Sequence, residues 1–366
     1  MSLKIALLPG DGIGPEVTEQ AVRILKNVAE HSGKTFSFST HPIGGAAIDS
    51  EGAGLPHSTL EACLNADAVL LGAVGHPKFD GRLPAERPEA ALLALRQALG
   101  GFANLRPAIC YPPLARRTAF QPERVRGANL LIIRELLGGL YYGEPRGFEA
   151  SGNTAFNTLI YSRHEIERVA KVAFERARER KKKVASIDKA NVLETSRLWR
   201  AVVSEVAKDY PDVELEHVYV DTAAMRLATS PTSFDVMLCD NLFGDILSDQ
   251  AASIAGSLGI LPSATIGGRV DLYEPVHGSA PDIAGKGLAN PIGAIASAAM
   301  LLRFSARMEN DAAEVDHAIE DALAAGARTK DIAAPGERVL STTEMGQAIE
   351  DALIEVRDRK HSYHGV

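Results

Sequence analysis

No apolar run in the chain reaches the ~20 residues that a helix needs to cross a bilayer, and the N-terminus lacks the apolar core of a secretory signal. Neither a membrane-spanning nor an exported protein is expected. Cysteine is scarce: Cys63, Cys110 and Cys239 are odd in number and far apart. They form no zinc-ligand spacing and no disulfide framework, which suits a reducing cytoplasm. Positive charge is not in excess. The net charge of −8 argues against a general nucleic-acid or anionic-membrane surface. The one basic run, "RARERKKK" at 176–183, encloses Glu179 and closes a helical pattern, so it reads as a solvated helix end. Internal repeats and low-complexity linkers are also lacking.

What is present is an ordinary globular composition, 46% hydrophobic, on a chain of 366 residues. That length exceeds one core, so two lobes are expected, sharing strands because no linker separates them. Apolar β-rich runs alternate with helical periods: "LKIALL", helix 15–32, "DAVLLGAV", helix 88–99, "NLLIIRE", helix 164–182, "VASID", helix 194–208, "LEHVYVD", helix 222–228, "FDVMLCD". The alternation predicts an α/β protein with mainly parallel, buried strands. Residues 138–162 depart from it, with two short β-type runs around a Gly/Ser/Asn turn. They predict a hairpin or arm able to pair with another subunit. The tail "HSYHGV" is polar, and His361 and His364 are expected to be end residues, not ligands.

The stretch "LLPGDGIGPEV" follows the first strand and looks like a phosphate-binding turn. Its glycines, Gly10, Gly12 and Gly14, do not match G-x-G-x-x-G, because the third comes one residue early. Pro15 suits a first helical turn but offers no N–H to a phosphate. The stretch reads as strand, turn and helix; a dinucleotide phosphate should sit elsewhere.

The densest polar signal is "CDNLFGDILSDQ", residues 239–250. Asp245 and Asp249 fall on one helix face, where like charges repel unless a divalent cation lies between them. Two carboxylates with water and substrate oxygens suit Mg²⁺ or Mn²⁺; two solvated helix carboxylates are the plainer reading. Asp221 ends "LEHVYVD", at a strand end of the kind that gathers ligands in α/β folds. Arg96, Arg106 and Arg134 each interrupt an apolar segment. A buried arginine needs a partner, and its planar fork fits either an internal carboxylate or a polyanionic small molecule. Lys189, beside Asp188, is either a surface pair or, near a metal, a general base. Tyr141 follows a Gly-Gly pair.

Taken together, "GDGIGPEV", "ANLRP", "YYGEPRG", "DKANVLETSRLWR", "NLFGDILSD", "GSLGILPSA" and "EPVHGSAPDIAGKGLANP" resemble the metal-dependent β-decarboxylating dehydrogenases, the isocitrate/isopropylmalate dehydrogenase family, over essentially the whole chain. The resemblance implies a two-lobed α/β fold that is not a Rossmann fold, with a mixed, largely parallel sheet. It implies a cofactor domain of 1–101 with 256–366, and a substrate, metal and dimerisation domain of 102–255 that carries the arm 138–162. Carboxylate binding falls to Arg96, Arg106 and Arg134, Mg²⁺ or Mn²⁺ ligation to Asp221, Asp245 and Asp249, and catalysis to Tyr141 and Lys189. Asp221 would also meet the substrate. NAD would lie along the loop 277–290, touching His277, Gly278, Ser279, Ala280, Pro281, Asp282, Ile283 and Asn290. Ile13, Gly75, Glu89 and Glu274 would complete its site, with Glu89 by the nicotinamide and Asp282 at the adenine ribose, disfavouring NADP. A homodimer with shared active sites is implied, Lys189 and Asp221 reaching the partner's cleft.

The implied reaction oxidises a 2-hydroxy acid at C2 and then releases its β-carboxylate as CO₂. Leu92 and Leu93, one turn before Arg96, offer apolar surface where tricarboxylate-using relatives place a serine or an arginine. An isopropyl group gains roughly 0.8 kcal/mol per buried carbon there, whereas a third carboxylate loses water without a partner. 3-Isopropylmalate is therefore expected over isocitrate and homoisocitrate, with tartrate or malate as side substrates. A non-redox Mg²⁺-dependent lyase would explain the acids and arginines but leave 277–290 unused.

Overall fold

The computed structural model describes residues 2–364, with side chains through 359; the side chains of the "HSYHGV" tail, His361 and His364 included, lie outside the described residues. The chain divides into two compact units. The first is Met1–Gly100, Tyr111–Ala119 and Ala255–Val366, and the second is Gly101–Cys110 and Phe120–Ile254. Tyr111–Ala119 thus counts with the first unit, although the sequence division assigned it to the other.

The strands in chain order are β1 (Ser2–Gly10), β2 (Thr35–Thr40), β3 (Ala68–Ala73), β4 (Ala103–Ile109), β5 (Asn129–Glu135), β6 (Gly147–Phe148), β7 (Ala155–Phe156), β8 (Lys183–Asp188), β9 (Glu214–Tyr219), β10 (Val236–Cys239), β11 (Pro262–Ile266) and β12 (Asp271–Pro275). In the first unit they run β2-β1-β3-β12-β11, parallel except for the antiparallel pair β11–β12. Ile5–Leu8 and Ala68–Leu71 are buried without alternation, as expected of parallel strands covered on both faces. The helix Ile292–Phe304 is buried from Ile292 through Leu302. It has no polar stripe, so amphipathic periodicity does not reveal it.

In the second unit the order is β4-β5-β10-β8-β9, parallel except for β4 against β5. The helix Arg163–Arg178 opens with a capping box, Ser162 with Glu165, and stops short of the expected residue 182. The basic run beyond it is spent on ion pairs, Arg178 with Asp212 at 2.7 Å and Arg180 with the buried Asp235 at 2.8 Å. β9 stops at Tyr219, so Asp221 lies in the first turn of the helix Val220–Thr229 and does not end a strand. Within 138–162 the paired strands are only β6 and β7, with Phe148 75% exposed. Among the described residues no helix is long and apolar enough to cross a membrane.

The glycine turn after β1 has a packing cause. Gly10 and Gly12 take φ of +71° and +57°, and a Cβ on either would stand 1.9 Å from the carbonyl oxygen of Ala73 or Ser279. The amides of Asp11, Ile13 and Gly14 donate to Ala73, Ser279 and Asp11 oxygens at 2.8, 2.8 and 2.9 Å. These are the N–H groups a phosphate would need, and carbonyls already take them. Pro15 stands in the first turn of the helix Gly14–Ser32, which Gly33 closes in the left-handed region.

Asp11 ties this turn to its neighbours. Its buried carboxylate accepts from the amides of Gly45, Ala46 and Gly75, each at 2.8 Å. Asp11→Ala is expected to lower unfolding stability by at least about 2 kcal/mol, since the Gly45 and Gly75 amides are buried and each buried donor left unmatched costs about 1–3 kcal/mol. Asp11→Asn, which keeps one acceptor oxygen, should lose less. Urea unfolding midpoints check this, and a wild-type midpoint for Asp11→Ala would show that the three amides do not depend on the carboxylate.

Candidate active site

β5 ends in Arg134 and Glu135, both buried. Arg134 is 2% exposed, yet its whole fork is answered. Nε and Nη2 donate to Asn241 Oδ1 at 3.0 and 2.8 Å, and Nη1 donates to Asp245. Asn241 in turn donates to the carbonyls of Leu136 and Gly138 at 3.0 and 2.9 Å. The helix Asn241–Ala255 lies flush on the arginine because residue 244 is glycine: a Cβ there would stand 2.7 Å from Arg134 Cγ.

Asn241, Asp245, Ser248 and Asp249 share one face of that helix. Arg106 on β4 meets the same face. It donates to Ser248 Oγ and Asn104 Oδ1, both at 2.7 Å, and its Nη1 stands 3.5 Å from Asp245 and 3.7 Å from Asp249. Tyr141 donates to Asp245 Oδ2 at 2.5 Å, with the Arg134 guanidinium 5.2 Å from its ring centre. Partial burial, and then the Asp245 carboxylate, push the Tyr141 phenol above its usual range, so it keeps its proton at neutral pH. Asp245 is therefore not a bare solvated carboxylate; it joins two arginines and a tyrosine.

Lys189 and Asp221 stand apart from this group as an ion pair, which holds the Asp221 carboxyl below its usual range. The suggested pairing of Lys189 with Asp188 does not form, because Arg200 takes the buried Asp188 at 2.8 and 2.9 Å. Asp221 does not join Asp245 and Asp249: among the described residues no three His, Cys, Asp or Glu side chains are gathered as a metal set. Asp245 and Asp249 still fit a divalent ion in kind. They are hard oxygen donors that already hold one cation, Arg106, between them.

In the first unit Arg96 donates to Glu274 on β12 at 2.6 Å, both side chains being buried. Thus all three arginines find internal partners, and for Arg106 and Arg134 the partners include the candidate metal acids. Leu92 packs against the core cluster around Leu8, Leu71 and Leu95 while remaining partly exposed, as Leu93 does. Gly75 has φ +128°, and a Cβ there would lie 2.9 Å from Glu89 Oε1 and 3.6 Å from Ser279 Oγ. Three expected cofactor residues thus border one space that a side chain would fill.

The loop 277–290 carries further features that fit a dinucleotide. His277 is buried, which pushes its ring toward the neutral form; Nδ1 faces the Gly278 carbonyl at 2.9 Å. Nδ1 must then carry the proton, and among the described residues the bare Nε2 has no partner. Ala280 adopts φ +40°, unusual without glycine, and Pro281 and Asp282 are exposed. Ile283 is half-buried, while Asn290 accepts from the Ile292 amide at 3.0 Å and donates to Asp331 at 3.0 Å.

Asn241, Ser248, Asn104 and Asp11 were not picked out from the sequence. For Asn241 and Ser248 a signal existed, since both share the helical face of Asp245 and Asp249; nothing local marks Asn104 or Asp11.

Residues 4–349 match the family model described as isocitrate/isopropylmalate dehydrogenase, and the chain belongs to that family. It is 53% identical over 355 residues to the 3-isopropylmalate dehydrogenase of Geobacillus kaustophilus, covering 96% of each chain. To that of Priestia megaterium it is 54% identical over 352 residues, covering 95% of each. Among solved structures it is similar to isocitrate dehydrogenase from Methylococcus capsulatus, with a TM-score of 0.86 at 36% identity, covering 96% of this chain and 99% of that one. A β-decarboxylating dehydrogenase from Thermococcus kodakarensis gives 0.80 at 36% identity, covering 96% of each chain. The mixed, mostly parallel α/β architecture expected from the sequence is the one these neighbours share.

Beneath the acid cluster lies Asp240, which caps the helix Asn241–Ala255 through the Phe243 amide at 2.7 Å. Burial, with the nearby Glu135 carboxylate adding and the Phe243 amide opposing, pushes its carboxyl up to about 7. A carboxyl raised by folding binds its proton more tightly in the folded chain, so its contribution to stability falls as pH rises from about 4 to about 7. Asp240→Asn keeps the cap and removes the charge. It should flatten that fall and be more stable than wild type at pH 8, by on the order of 4 kcal/mol. Urea midpoints measured across this range check it; parallel curves for the two proteins would contradict it.

Proposed function

We propose that the chain oxidises 3-isopropylmalate at C2 with NAD⁺ and then releases its β-carboxylate as CO₂, leaving 4-methyl-2-oxopentanoate on the route to leucine. The observation that carries this reading is the convergence of Arg106, Arg134 and Tyr141 on Asp245, beside Asp249. The relatives' shared name supplies the substrate. Asp245 and Asp249 would hold a divalent ion, which would supply charge against the hydroxy-acid oxygens, and bound NAD⁺ would supply the hydride acceptor. Arg96, Arg106 and Arg134 hold the carboxylates. Lys189, once its ammonium has given up a proton near the bound cation, takes the hydroxyl proton at Nζ, and Tyr141, kept protonated, gives one to the carbon that CO₂ leaves. Leu92 and Leu93 face the isopropyl group, and the exposed Asp282 favours NAD⁺ by repelling a 2′-phosphate.

With 3-isopropylmalate, NAD⁺ and Mg²⁺, NADH absorbance should rise. EDTA should abolish the rise, and Mn²⁺ or Mg²⁺ should restore it. Turnover in metal-free buffer, or a preference for isocitrate, would overturn the assignment.

The sites are shared between two chains, each taking Lys189 and Asp221 from its partner. Two observations support this. Asp221 stands apart from Asp245 and Asp249, and Val192, Met225, Ile246 and Phe148 leave large apolar side chains exposed. Lys189→Ala and Asp249→Asn proteins, each inactive, should on co-refolding regain roughly a quarter of wild-type activity, because half the dimers are mixed and each mixed dimer has one intact site. An inactive mixture with mixed dimers present would exclude sharing.

A further inference from the structure

The glycines of "IAGKG", residues 283–287, form an anion nest, and its occupant is part of the chain. Gly285 and Gly287 take φ of +72° and +63°, and a Cβ on either would meet nothing within 4 Å. They are required by conformation, not by space. Their amides both point at Glu16 in the first turn of the helix Gly14–Ser32: Gly285 donates to Oε1, and Gly287 to Oε2 at 3.1 Å. Two amides aimed at one carboxylate, with the intervening Lys286 amide turned to the Ile283 carbonyl at 3.2 Å, make an electropositive hollow of the kind that elsewhere takes phosphate. The neighbouring ammonium is not involved, since Lys286 donates back to the Asp282 carbonyl at 2.6 Å.

The same helical turn holds the other end of the loop, where the Ile13 amide donates to the Ser279 carbonyl at 2.8 Å. Between these two anchors lie the strained Ala280 and the exposed Asp282. We propose that Glu16 is a positioning residue for dinucleotide binding: its carboxylate fills the Gly285/Gly287 nest and so fixes the segment that presents Asp282 to the cofactor. This rests on the reading of 277–290 as the dinucleotide loop. The "GDGIGPEV" turn then serves the cofactor without touching its phosphates.

Glu16→Gln would turn an amide N–H toward one of two N–H donors. Calorimetric titration with NAD⁺ should show affinity weakened about tenfold, the loss of one charge-assisted hydrogen bond. Hydrogen exchange at residues 285–287 should quicken, while KM for 3-isopropylmalate stays unchanged. Glu19→Gln, an exposed carboxylate on the same helix, should match wild type. Gly285→Ala attacks the nest from the loop side and should give the same cofactor-selective loss; it carries the test should Glu16→Gln not fold. Wild-type NAD⁺ affinity in both variants, or equal loss for cofactor and hydroxy acid, overturns the proposal. A wild-type protein that binds no NAD⁺ overturns the loop assignment together with it.

Discussion

Arg134 places a full positive charge almost out of reach of water at the end of β5, and the second unit is arranged around answering it. A guanidinium so buried is tolerable only if each face of its fork is matched. Asn241 and Asp245 do this from one helix, and Gly244 lets that helix approach the arginine stem. The position of Asp245 follows from that pairing. So do the positions of its helical neighbours Ser248 and Asp249, and of Tyr141, which leans on the same carboxylate. The candidate metal acids are therefore set in place by an arginine before any ion arrives. This pre-organisation lowers the ordering cost of binding.

Carboxylates organise the first unit by a different route. Asp11 and Glu16, five residues apart, each accept backbone amides from distant segments: Asp11 from Gly45, Ala46 and Gly75, Glu16 from Gly285 and Gly287. Loops that run over a core carry backbone donors no ladder satisfies, and a buried carboxylate can accept several at once. Glycines at these points allow the close approach and the left-handed turns that bring the amides to bear. The motif that resembles a phosphate-binding turn is thus a bracket for other loops, its own amides bonded to carbonyls.

Burial and ion pairing move carboxyl groups of the second unit in opposite directions. Asp240 and Glu135 are pushed up by desolvation, Asp240 also by the Glu135 carboxylate, whereas Asp221, exposed and paired with Lys189, is pulled down. Tyr141 is raised by partial burial and by the carboxylate it touches. Tyr141 thereby keeps its proton beside Asp245.

Local chemistry was enough to read many helices and parallel strands of both units from the chain itself. The helix Pro88–Leu99 appears with the bounds its proline and its following Gly100 announce, and the parallel strands appear where apolar runs lack alternation. Asp245 and Asp249 on one helical face were legible because a period of 3.6 residues is a property of the backbone. What the sequence could not disclose was which partner each charge would take. Arg96 meets Glu274, 178 residues away, and Glu16 meets Gly285, 269 residues away. Ion pairs and amide nests depend on atoms coming within about 3 Å, and only the packed sheet and helices set those distances. For the same reason Lys189 turned from its neighbour Asp188 to Asp221. Arg200, nearly two turns into the helix Glu194–Val206, pairs with Asp188 through both Nε and Nη2, and a buried carboxylate goes to the guanidinium whose fork fits it.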